Sequence, residues 1–68
     1  SKTKRVDITD REKEIICLIA QGLTNGEIAK KLYLSEGTVK NYITNILSKL
    51  GAKNRASLIE IARKSGII

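Results

Sequence analysis

Thr24-Asn25-Gly26-Glu27-Ile28-Ala29 and, after a short link, Ser35-Glu36-Gly37-Thr38-Val39-Lys40 are the stretches on which the fold turns. Thr24 with Glu27 three residues later forms a capping box, in which each side chain satisfies a free backbone N–H of the helix start. Leu23 before that cap and Ile28 four residues after it form a hydrophobic staple, and Leu34 and Val39 repeat the arrangement around Ser35. The first helix is short and ends near Leu32. The second carries apolar residues at Val39, Ile43, Ile46, Leu47 and Leu50, a single stripe at helical spacing, and Gly51 ends it. Two capped helices joined by so short a link make a helix-turn-helix.

On the N-terminal side, Thr9-Asp10-Arg11-Glu12 is another capping box. Ile15, Ile16, Leu18 and Ile19 give the helix behind it an apolar face, and Gly22 is a natural left-handed stop. On the C-terminal side, Asn54 caps a helix that runs to about Ser65, with Gly66 beyond it. Leu58, Ile59, Ile61 and Ala62 cover more of its circumference than one core face requires. There is no proline and no strand pattern. The expected fold is all-α, with four helices near 9–21, 24–32, 35–50 and 54–65. Residues 8–68 form the domain, and the polar segment 1–7, with Lys2, Lys4 and Arg5, reads as a linker or tail.

The chain has 68 residues, one cysteine and no histidine. A core of this size supplies about 3–5 kcal/mol unless something staples it. An internal disulfide and the common zinc patterns are excluded, so no metal or cofactor is expected. No apolar run is long enough to span a membrane and no basic-then-apolar leader opens the chain, which with the single thiol leads us to expect a cytoplasmic protein with no membrane partner.

The net charge is +6, and residues 28–55 hold six cations against the single acid Glu36, so this stretch carries five of the six net charges. A concentrated basic stretch suits a polyanion. The helix over 35–50 shows how. At 100° per residue, Gly37, Asn41 and Ser48 lie opposite the apolar stripe, flanked by Thr44 and Asn45, with Lys40 nearer the boundary. Idle helix faces favour Glu and Lys, whereas this one has Asn, Thr, Ser and Gly. Amides and hydroxyls suit base edges, lysine reaches guanine acceptors, and Gly37 removes bulk at a close approach, as in a helix lying in the major groove of double-stranded DNA. Thr38, Tyr42 and Lys49 on the other flank suit phosphate and sugar. Ser35 and Thr38 also stand at a helix start, where free N–H groups favour an anion.

Catalysis has little to work with. Glu12 and Glu27 are explained by caps, no histidine activates Cys17, and so small a core leaves no obvious cavity of a few hundred Å3. The chain is expected not to be an enzyme.

Ile8-Thr9-x-Arg11-Glu12-x-Glu14-Ile15 and Ala20-x-Gly22-x-Thr24-Asn25-x-Glu27-Ile28-Ala29 resemble the DNA-binding domain of the LuxR family. Leu34-Ser35-x-x-Thr38-Val39-Lys40-x-Tyr42, Ile46-x-x-Lys49-Leu50-Gly51 and Asn54-Arg55 continue the match, which covers about residues 8–66. The resemblance implies a four-helix domain with its third helix in the major groove. In NarL-type response regulators of two-component systems such a domain is the C-terminal output module. It implies Lys40 at bases or adjacent phosphates, Asn41 and Thr44 setting sequence preference, and Thr38, Lys49 and Arg55 gripping the backbone. It also implies homodimers paired through the last helix, which places Leu58, Ile61, Ala62 and Ser65 at the seam. Tyr42 departs from the family, which often has histidine there. The alternatives are a sigma-factor-like module acting through RNA polymerase and a stand-alone small LuxR-type regulator.

Overall fold

The computed structural model describes residues 7–68. The basic segment expected to be a linker or tail therefore lies, apart from Asp7, outside the described residues. Four helices follow one another: α1 (Asp10–Ala20), α2 (Asn25–Leu32), α3 (Glu36–Leu50) and α4 (Arg55–Lys64). The expected caps are in place. Thr9 Oγ1 accepts the Glu12 N–H at 3.1 Å while Glu12 Oε1 accepts the Thr9 N–H at 2.9 Å. Thr24 and Glu27 repeat the exchange at 3.2 and 2.8 Å. Ser35 and Asn54 cap α3 and α4 by accepting the N–H groups of Thr38 and Ser57 at 3.1 and 2.8 Å. Each such bond removes one of the unsatisfied donors that every helix start carries.

All four helices end in a left-handed residue: Gly22, Gly51 and Gly66 after α1, α3 and α4, and Tyr33 after α2, at φ +59°. In each case the next N–H returns to a carbonyl five residues back, as Leu34 does to Ala29 at 2.8 Å. This closes the helix end with a Schellman bond. The link between α2 and α3 is only Tyr33 and Leu34 ahead of the Ser35 cap, so the chain must reverse at Tyr33. No glycine stands there to mark the turn, so nothing local in the chain announces it.

α1 packs against the other three helices, α2 against α3, and α3 against α4. The core is Ile15, Ile16, Leu18 and Ile19 from α1, Ile28 and Ala29 from α2, Val39, Ile43 and Ile46 from α3, and Leu58 and Ala62 from α4. Leu47 and Leu50, expected in the α3 stripe, are partly buried at its edge. This arrangement fixes α3 by one side and leaves the opposite side in solvent. No helix of the described residues is long and apolar enough to cross a membrane.

Candidate nucleic-acid interface

The core stripe of α3 decides which of its side chains face outward. Gly37, Lys40, Asn41, Thr44, Asn45 and Ser48 are all exposed. Among the described residues, none of their side chains makes a hydrogen bond or ion pair within the domain. The outward face is therefore a continuous strip of amides, hydroxyls and one ammonium, all free to meet a ligand. Gly37 has no internal reason to be glycine. A Cβ built there would meet nothing closer than Ser35 Oγ at 4.0 Å, although glycine within a helix costs about 0.5–1 kcal/mol relative to alanine.

At the start of α3, exposed Ser35 donates its hydroxyl to Thr38 Oγ1 at 2.9 Å while accepting the Thr38 N–H. Thr38 keeps its own O–H free to donate. Half-buried Tyr42 packs against the core, which leaves part of the ring on the same flank.

Two cations expected at the phosphate backbone have other partners. The Lys49 ammonium donates to Glu12 Oε1 at 2.8 Å and to the Asp7 carbonyl at 2.9 Å, joining the last turn of α3 to the start of α1. Arg55 donates from Nη1 to Asn25 Oδ1 at 2.8 Å and from Nη2 to the Leu23 carbonyl at 2.7 Å. These two acceptors flank the Thr24 cap, so the guanidinium bridges α4 to the start of α2, two helices that do not otherwise pack on each other. Neither link has a local sequence signature, because the partners stand 37 and 30 residues apart. Four exposed cations of the basic stretch, Lys30, Lys31, Lys40 and Lys53, form no ion pair among the described residues.

Glu12 is the buried charge of the domain, at 5% exposure. Burial pushes its carboxyl up, but the hydrogen bonds from Lys49 and from the Thr9 backbone outweigh this and hold it below the usual glutamate range. Its role thus exceeds the cap expected of it.

The seam expected on α4 needs correction. Leu58 and Ala62 are completely buried in the domain's own core, so neither has surface left for a partner. Ile61 is half-buried and Ser65 exposed. The apolar excess around α4 was legible, but not which part of it the core would take. The one depression of note among the described residues is an open, shallow groove of about 430 Å3 on the surface against Leu23, Glu27, Lys30 and Lys31, not an enclosed cavity. Its one carboxylate, Glu27, is engaged in the α2 cap.

Residues 6–62 match the family model described as bacterial regulatory proteins, luxR family. The chain is 44% identical over 62 residues to the transcriptional regulatory protein LnrK of Bacillus subtilis (strain 168), covering 91% of this chain and 28% of that protein. It is 48% identical over 59 residues to the transcriptional regulatory protein DesR of the same organism, covering 87% of this chain and 30% of that one. Among solved structures it is similar to the response regulator ChrA of a heme-sensing two-component system, with a TM-score of 0.90, 42% identity, and coverage of 97% of this chain and 33% of that one. The Vibrio cholera VqmA–ligand–DNA complex is also similar, with a TM-score of 0.85 at 33% identity, over 98% of this chain and 29% of VqmA. The chain thus spans about a third or less of the length of these relatives.

Proposed function

The chain belongs to the luxR family of bacterial regulatory proteins, and from that premise we propose that it binds double-stranded DNA sequence-specifically as the output domain of a transcription regulator of the response-regulator type. The observation that carries this reading is the outward face of α3: Gly37, Lys40, Asn41 and Thr44, exposed and unpartnered on a helix gripped from its other side. In this reading α3 lies in the major groove. Lys40 reaches guanine acceptors or an adjacent phosphate, Asn41 and Thr44 bond base edges, and Gly37 lets the backbone approach. Ser35, Thr38 and Tyr42 hold phosphates on the flank of the helix. Arg55 braces the start of α2 and turns its remaining N–H donors toward the same strand.

The protein acts as a homodimer on paired half-sites, with Ile61 and Ser65 on the exposed side of α4 at the seam. Its work is recognition rather than turnover, performed in the cytoplasm.

In vitro selection from random duplexes tests the proposal. The expected result is a defined motif, with half-sites about one helical turn apart. Affinity is expected to fall with salt at a slope of about −0.9 per phosphate neutralised. Binding that selects no motif, or that ignores salt, would overturn it. An unselective chain that still captured RNA polymerase would point instead to the protein-interaction role.

A further inference from the structure

Two kinds of contact hold α3. Val39, Ile43 and Ile46 seat its inner stripe in the core, and such apolar contact is non-directional. The link from Lys49 is directional. One oxygen, Glu12 Oε1, receives both the Lys49 ammonium at 2.8 Å and the Thr9 backbone N–H at 2.9 Å. The Asp7 carbonyl takes a second Lys49 N–H at 2.9 Å. Among the described residues, no other α3 side chain hydrogen-bonds beyond its own helix and the Ser35 cap.

We propose that Glu12 and Lys49 are positioning residues for sequence reading: the core stripe sets which face of α3 points outward, and the pair sets the last degrees of its rotation and thereby aims Gly37, Lys40, Asn41 and Thr44. The inference rests on the DNA-reading function proposed above. Its physical basis is leverage. Side-chain tips lie about 5–6 Å from a helix axis, so a rotation of about 20° displaces them by about 2 Å. A hydrogen bond to a base edge tolerates a few tenths of an ångström. Lys49 stands at the far end of α3 from these residues, beyond Thr44, and acts on the bases without touching them.

The test uses the 68-residue chain and three variants: Lys49→Met, Lys49→Arg and Glu12→Gln. Glutamine still accepts the Thr9 N–H, so Glu12→Gln keeps the capping box and removes only the charge. Affinity is measured for a selected duplex and for a scrambled one, over a salt series, below each variant's melting temperature. Lys49→Met and Glu12→Gln are each expected to lower the ratio of selected to scrambled affinity about tenfold, the scale of one lost base contact. Lys49→Arg is expected to retain most of it, and the salt slope on the scrambled duplex stays that of the wild type.

A slope shallower by about 0.9 in Lys49→Met, with both duplexes weakened alike, would make Lys49 a phosphate contact and overturn the proposal. An unchanged ratio in both charge-removing variants would overturn it too. If Lys49→Met does not fold at the assay temperature, Glu12→Gln alone decides. A wild-type chain that binds all duplexes alike overturns the proposed function, and this inference with it; a selective wild type with equally selective variants overturns this inference alone.

Discussion

Over its first turns α3 presents Gly37, Lys40, Asn41 and Thr44 to solvent with no partner in the domain, whereas in its last turn Lys49 is bonded to Glu12 and to the Asp7 carbonyl. Both ends are polar and both carry a lysine, so composition does not separate them. What separates them is whether an acceptor from another segment lies within reach. A free end has hydrogen-bonding capacity to offer a ligand, and an anchored end holds the free one still. The same contrast divides the basic stretch, where Lys30, Lys31, Lys40 and Lys53 are available to a polyanion and Arg55, like Lys49, braces the fold.

The core beneath both ends should give the largest effect. Leu58→Ala is expected to destabilise the domain by about 2–5 kcal/mol in denaturant unfolding, independently of protein concentration, because Leu58 is buried within one copy. A loss confined to self-association, at unchanged stability, would return Leu58 to a dimer seam.

At the free end, Lys40→Ala and Asn41→Ala are expected to cost about 1–3 kcal/mol of preference for the selected duplex. Folding stability should move by no more than about 0.5 kcal/mol. Equal loss on every sequence would place these side chains at phosphates instead. At the braced end of the basic stretch, Arg55→Met strands the Leu23 carbonyl and Asn25 Oδ1 in a partly buried setting, an expected cost of about 1–3 kcal/mol in stability.

Gly37→Ala should separate folding from reading. With open space at the built Cβ, alanine is expected to stabilise the helix by about 0.5–1 kcal/mol, while operator affinity, measured by titration, falls. Unimpaired binding would remove the close approach from the proposal.

A pH series probes the anchored end most gently. Because the Glu12 carboxyl is held below its ordinary value of 4.5 by Lys49 and the Thr9 N–H, against the opposing effect of burial, its contribution is full above that value. It is lost as pH falls through the lowered value in the fold. Thermal unfolding from about pH 6 to about pH 3 should therefore show the wild type losing more stability than Glu12→Gln. Parallel curves would mean that the ion pair adds nothing.

Much of this molecule was legible in the chain because its rules are local. Caps at Thr9, Thr24, Ser35 and Asn54 and left-handed stops at Gly22, Gly51 and Gly66 lie within a few residues of what they control, so the four helices and the stripe of α3 followed directly. Tyr33 was missed because its left-handed backbone answers to the shortness of the link, not to any preference of tyrosine. The Lys49 and Arg55 links were missed because a lysine or arginine looks the same on a chain whether its acceptor is a phosphate or a protein oxygen thirty or more residues away. Leu58 and Ala62 were assigned outward because periodicity shows that a helix has apolar excess without showing which part the neighbours cover.

By itself, then, the sequence determined the four helices, their ends, and the strip of α3 that faces away from its apolar stripe, since backbone capping and helical period are set by near neighbours. Only the tertiary structure decided which cations are free and which are braces, and which apolar residues of α4 remain for a partner. Those outcomes depend on acceptors and surfaces brought together from distant parts of the chain.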